Sequence, residues 1–125
     1  MTSEKKDQRK LTGRQGEELA AAHLLQHDYV IIERNWRCRS GELDLIAKKE
    51  GLLIIIEVRS RKSLHQFGHP IESVETRKQM QVRRTAEVFI MMSNQSNSEV
   101  RFDVITVLLN KDGSLQEIKH IQNAF

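Results

Sequence analysis

The sequence predicts a mixed α/β domain, a central β-sheet flanked by helices in the order αβββαββ, and three observations carry that expectation. A run of strong helix formers, "GEELAAAHLLQH", follows Thr12 and Gln15 at capping-box spacing. Two alternating stretches, "GELDLIA" and "LLIIIEVRSR", lie either side of Glu50-Gly51, as in a hairpin. A helical stripe of Val82, Ala86, Phe89 and Ile90 then separates them from a further strand, "VRFDVITVLL".

Taken in order, residues 1–11 are charged and polar and predict a flexible tail, so that a single domain runs over 12–125. The first ten residues, "MTSEKKDQRK", lack the apolar region of a secretory signal. A helix is predicted over about 13–27, and "YVIIERNW" after it reads as the first strand. The hairpin strands follow. "HQFGHP" breaks the pattern as a loop, and Ser73 is expected to open the second helix. Beyond the polar "SNQSNSE" come "VRFDVITVLL", an "NKDG" turn and a short last strand, "LQEIKHI". At 125 residues the chain can bury a core without disulfides or metal staples. Its one cysteine, Cys38, fits a reducing compartment, and no apolar run approaches the ~20 residues of a membrane helix. A cytoplasmic protein with no membrane partner is expected.

Net charge is +3, and it is unevenly placed. Arg34 to Lys62 holds eight Lys or Arg against four acids, which more than accounts for the whole excess. Such a segment is either a solvated basic face or a phosphate-binding one.

Strand alternation concentrates the interest on "LLIIIEVRSRK". Leu53, Ile55, Glu57, Arg59 and Arg61 share one side, and Leu52, Ile54, Ile56 and Val58 the other, which is expected to be the deeply buried one. On the preceding strand Glu42, Asp44 and Ile46 share a face opposite Leu43, Leu45 and Ala47. With Glu50-Gly51 as a two-residue turn, Asp44 stands across from Glu57 and Glu42 across from Arg59, with Cβ atoms of such partners ~4.5–5.5 Å apart. Two carboxylates abreast repel, so a positive partner is expected between them. It is either Arg59 or Arg61 in an ion-pair network with Glu42, or a divalent cation. Mg²⁺ needs only one or two carboxylates, taking waters and phosphate oxygens as its other ligands.

Several further residues carry alternatives. Lys78 sits four positions before Val82 and either reaches a phosphate or snorkels. Asp103 in mid-strand is expected to pair with a nearby Arg. His65 and His69 have helical metal spacing, but Gly68 and Pro70 argue against a helix there and so against zinc. Trp36 among Arg34, Arg37 and Arg39 either stacks on a base or packs at the sheet edge.

The blocks "GRQGEELAAAHL", "RNWRCRSGELDLIA", "IIIEVRSRK", "FGHPIESVETRK" and "RFDVITV" together resemble the YraN family of small bacterial proteins. That family is grouped with the PD-(D/E)XK nucleases and is similar in fold to archaeal Holliday-junction resolvases. The resemblance covers about Thr12 to Phe125. It implies a restriction-endonuclease-like core in which Asp44 and Glu57 hold Mg²⁺ or Mn²⁺ and Glu17 completes the acidic cluster. The helical wheel alone does not choose between Glu17 and Glu18. Arg59 occupies the superfamily's lysine position and Leu43 its proline position. Arg59, Arg61 and Lys78 are then the groups that orient phosphate, Lys62 joins the nucleic-acid-binding residues, and Arg34, Arg37, Arg39, Lys48 and Lys49 add salt-sensitive affinity. The partner implied is nucleic acid, DNA first, and the resolvases imply a homodimer.

Two functions remain open on the sequence. One is a metal-dependent endonuclease that cleaves DNA phosphodiester bonds. The other is a non-catalytic nucleic-acid-binding or adaptor module on a nuclease scaffold. The three acids favour the first; Arg59, which stays charged and cannot act as a base, favours the second.

Overall fold

The computed structural model describes residues 2–63, 73–95 and 98–125, with side chains from residue 6 onward. Helix α1 spans Thr2–Gln26, followed by strands β1 (Val30–Cys38), β2 (Gly41–Lys49) and β3 (Leu52–Lys62). Helix α2 (Thr76–Met92) and strands β4 (Glu99–Leu109) and β5 (Leu115–Ile121) complete the chain. The five strands form one sheet in sequence order, β1-β2-β3-β4-β5. Neighbours are antiparallel except β3 and β4, which run parallel because α2 carries the chain across between them. The order αβββαββ and the mixed sheet between two helices are as expected, and they are consistent with a restriction-endonuclease-like core.

Two expectations about the helices are corrected. The segment expected to be a flexible tail continues α1, which begins at Thr2 rather than near Gly13. Residues 2–12 contain neither Gly nor Pro and are rich in Lys, Gln and Arg, so nothing in them stops helix propagation at the Thr12 signal. At the second helix, Ser73 is not the cap. Glu75 occupies that position, and the Gln79 N–H bonds to the Glu75 carbonyl at 2.9 Å to close the first turn.

The β2–β3 hairpin forms in the expected register. Lys49 pairs with Leu52 and Leu45 with Ile56. Glu50 and Gly51 between them have φ of 50° and 82°, the doubly left-handed pair that a two-residue hairpin turn of type I′ demands. Both faces of β3 are buried, however, not one. Ile54 and Ile56 pack with Leu45, Ile105 and Val107 under Ala20, Ala21 and Leu24 of α1. Leu53 and Ile55 pack with Ile46 under Val82, Ala86 and Phe89 of α2. A strand covered on both sides reads as an unbroken aliphatic run, which explains "LLIII". Each such Ile or Leu contributes ~1.5–3 kcal/mol by leaving water.

Beyond Leu45 and Ile56 the two hairpin strands part. β2 stays paired with β1 as far as Gly41, while β3 stays paired with β4 as far as Lys62. The divergence also turns β2. Leu43, expected on the face of Leu45 and Ala47, packs instead in the α2-side cluster. The sheet therefore forks, and Asp44 and Glu57 are the first residues past the fork.

Candidate functional site

The fork explains how two acids come to sit abreast in a sheet. Past it, β3 has lost β2 as a ladder partner. The Asp44 carboxylate replaces the missing strand, its Oδ2 accepting from the Val58 N–H at 2.8 Å. Glu57 is 3% exposed, on the face of Ile55 and α2. Lys78, one turn ahead of the buried Val82, approaches it from α2, with Nζ 3.6 Å from Glu57 Oε1. The other carboxylate oxygen, Glu57 Oε2, is buried and has no hydrogen-bond partner among the described residues.

Glu17 reaches Asp44 from the opposite layer. Gly16 makes this possible: a Cβ there would lie 1.7 Å from Ser60 Oγ, so only glycine lets α1 come this close to β3. The next residue, Glu17, is half-buried beside Asp44, whereas Glu18 faces outward and pairs with Arg34 at 3.2 Å. Of the two glutamates that the helical wheel leaves open, Glu17 is the one that lies beside Asp44. Asn35 was not anticipated. Its φ of 49° puts a left-handed residue inside β1 without breaking the strand, and its amide, in the orientation its neighbours require, donates to Glu17 Oε1 at 2.9 Å and Glu42 Oε1 at 3.0 Å. The one sequence signal for it was an Asn, a residue that tolerates left-handed backbone, inside a strand pattern.

Burial first, and neighbouring carboxylates second, raise the proton affinity of all three acids. Burial, then Asp44, pushes Glu57 up from 4.5 to about 7, against the opposing Lys78 ammonium. Burial, then Asp44, Glu42 and Glu18, pushes Glu17 from 4.5 to about 7. Asp44 is raised by burial, with Glu42 adding to the rise and the Val58 N–H, Lys78 and Arg59 opposing it. Negative charge is gathered here faster than the protein's own cations neutralise it. Among the described residues no group of three or more His, Cys, Asp and Glu is gathered tightly enough to hold a metal by itself. Two carboxylates with an unpaired buried oxygen do meet the smaller demand of Mg²⁺ or Mn²⁺, which keep waters and take phosphate oxygens. The donor set fits that ion class.

The expected cations divide into those near the fork and those away from it. Arg59 Nη1 donates to the Ser73 carbonyl at 3.1 Å, tying β3 to the approach of α2, and Arg59 still acts electrostatically on Asp44. Asp44, Val58 and Arg59 border two recesses. On the α2 side, one of about 350 Å³ includes Glu57, Glu75 and Lys78. On the α1 side, a groove of about 860 Å³ runs past Glu17 and Arg9 to Arg61 and Lys62. Arg37 is engaged by its cross-strand neighbour Glu42 at 2.9 Å, and Arg39 is exposed beyond it. Lys48 and Lys49 stand at the hairpin end of β2, away from the fork. There Lys49 donates to the His27 carbonyl at 2.8 Å and covers the Tyr29 ring. The expected basic segment is therefore not one continuous face.

Trp36 packs edge-on against Phe89, with ring centroids 5.2 Å apart, and belongs to the core margin. Asp103 is the structural partner anticipated. Fully buried, it accepts from Arg101 Nε at 2.9 Å, Arg101 Nη2 at 2.8 Å, the Asn123 N–H at 3.1 Å and pairs with His120 Nε2 at 2.7 Å. His65, His69 and the loop containing them lie outside the described residues. No described helix is long and apolar enough to cross a membrane.

Comparison with known proteins places the chain. Residues 16–107 match the model of the "Uncharacterised protein family UPF0102". A UPF0102 protein of Desulforamulus reducens is 49% identical over 119 residues, covering 94% of this chain and 97% of the relative. The UPF0102 protein TTE1452 of Caldanaerobacter subterraneus subsp. tengcongensis is 40% identical over 122 residues, covering 97% and 99%. One from Chlorobium phaeobacteroides is 40% identical over 119 residues, covering 92% and 93%. The chain belongs to the UPF0102 family, the YraN family of its sequence resemblance.

Proposed function

We propose that this protein is a metal-dependent endonuclease that binds DNA and hydrolyses its phosphodiester bonds at the fork between β2 and β3. The observation that carries the reading is Glu57 Oε2, a buried carboxylate oxygen with no partner beside a second acid, Asp44. Leaving such an oxygen unpaired is costly unless a cation arrives. Asp44 and Glu57 would hold Mg²⁺ or Mn²⁺, with Glu17 at its edge. When bound, the ion would supply an activated water and stabilise charge building on the phosphoryl oxygens. Lys78, paired with Glu57 but 46% exposed, offers a cation to a non-bridging phosphate oxygen. Arg59 contributes fixed positive charge near Asp44 and no base.

The second reading, a nucleic-acid-binding module without catalysis, is favoured by one specific observation. Arg59 stands where a proton-transferring lysine belongs, and its guanidinium is committed to the Ser73 carbonyl. A cleavage panel of branched, duplex and single-stranded DNA with Mg²⁺ or Mn²⁺, run beside Asp44→Ala and Glu57→Ala, decides between them. Cleavage by the unaltered protein that both variants lose, with binding retained, is the outcome expected. Cleavage that survives in Asp44→Ala removes the catalytic assignment, and binding without cleavage leaves the module.

A further inference from the structure

Gly13 sits inside α1, where glycine weakens a helix, yet no packing requires it: a Cβ there would meet nothing within 4 Å among the described residues. Gly16, one turn on, is the opposite case, pressed against Ser60. The open space over Gly13 belongs to the α1-side groove of about 860 Å³. Arg9 from α1 and Arg61 and Lys62 from β3 line that groove, which ends at Glu17 and Asp44. Arg61 Nε is shut off from solvent and has no hydrogen-bond partner among the described residues. A guanidinium donor in that condition calls for an anionic acceptor. Among the described residues no aromatic side chain lines the groove, so what they offer is charge to a backbone and no stacking platform to a base.

We infer that this groove is a subsite for a single-stranded phosphodiester backbone, which crosses α1 over Gly13 with its phosphates on Arg9, Arg61 and Lys62. The direction of the strand, into the fork at Asp44, rests on the nuclease reading; the anion subsite itself does not. The helix segment expected to be a tail is then one wall of the site. A bare helix face lets the backbone approach closely, and the three cations make the affinity salt-dependent, with a slope of about 0.7 per phosphate neutralised on a single strand.

The test is anisotropy of a labelled oligothymidylate with chelator present, so that binding is read without metal or cleavage. Gly13→Ala fills no contact and is expected to bind as the unaltered protein does while melting at a higher temperature. Gly13→Glu projects a carboxylate into the groove without a clash and is expected to weaken binding about tenfold or more. Arg9→Ala, a change on an exposed helix position, is expected to weaken it several-fold and flatten the salt slope. Equal binding by Gly13→Glu and Gly13→Ala overturns the subsite, as does failure of the unaltered protein to bind the oligonucleotide or a clear preference for duplex. Loss of binding in Gly13→Glu, with no metal-dependent cleavage by the unaltered protein, overturns the nuclease reading and leaves the subsite standing.

Discussion

Glu57→Gln removes a charge from the fork while keeping the side chain's shape, and its effect on stability has a sign that depends on pH. The folded protein raises Glu57 from 4.5 to about 7, so between those values the folded state binds more protons than the unfolded one. Stability therefore falls as pH rises through that window, and the ionised carboxylate is a liability at pH 8. At one unit per 1.36 kcal/mol, the rise corresponds to about 3 kcal/mol as an upper bound. That figure is already net of the ion pair with Lys78, a half-exposed partner 3.6 Å away and worth ~0.2–1 kcal/mol. Without divalent metal, Glu57→Gln is thus expected to raise stability at pH 8 by about 1–3 kcal/mol and to change it little at pH 4.5. In a chain of this size that is a rise of roughly 3–12 °C in Tm. Thermal unfolding of both proteins in chelator at the two pH values reads the difference. Added Mn²⁺ should then stabilise the unaltered protein and not the variant. Equal destabilisation by Glu57→Gln at both pH values would show that the Lys78 pair, and not repulsion and burial, governs this carboxylate, and would refute the reasoning.

Other parts of the molecule give equally direct tests. Gly16→Ala places a Cβ 2.7 Å from Ser60 Cβ, which no hydroxyl rotation relieves. Overpacking of ~1–3 kcal/mol should outweigh the ~1 kcal/mol that Ala gains over Gly in a helix, so urea denaturation should show a loss. Asp103→Asn leaves Arg101 without its buried carboxylate and should cost about 3–5 kcal/mol at pH 7 in the same assay. Hydrogen bonds from His120 and Arg101 hold Asp103 below 3.8 despite its burial, so its contribution is present above that value and lost as pH falls through the lowered one. The gap between the two proteins should accordingly narrow in strong acid.

Element order and hairpin register were legible because each rests on a local rule. A two-residue left-handed turn at Glu50-Gly51 fixes every cross-strand pair in β2 and β3, and with it the approach of Asp44 to Glu57. Burial of both faces of β3 was less legible: alternation assigns residues to faces but does not say which faces a helix will cover. The fork itself left no mark in either strand, since each continues with an outer neighbour, β1 or β4, after the two separate. Alternation accordingly misplaced Leu43 and spread the basic residues along one imagined face. Lys48 and Lys49 were counted with the site by proximity in sequence, although strand rise carries them to the far end of β2. Arrangements across layers, such as the Asn35 bond to Glu17 or the groove that Arg9 and Arg61 both line, depend on how α1 lies over β3. That in turn hangs on Gly16, whose role appears only once Ser60 is beneath it.

Whether the fork binds a divalent cation is read most directly by calorimetric titration of Mn²⁺ and Mg²⁺ into the protein, with and without a single-stranded oligonucleotide. Asp44 and Glu57 as ligands predict a saturable heat, enhanced by the oligonucleotide and absent in Asp44→Ala and Glu57→Ala. No metal-dependent heat in either condition, or the same heat in the unaltered protein and both variants, would contradict it.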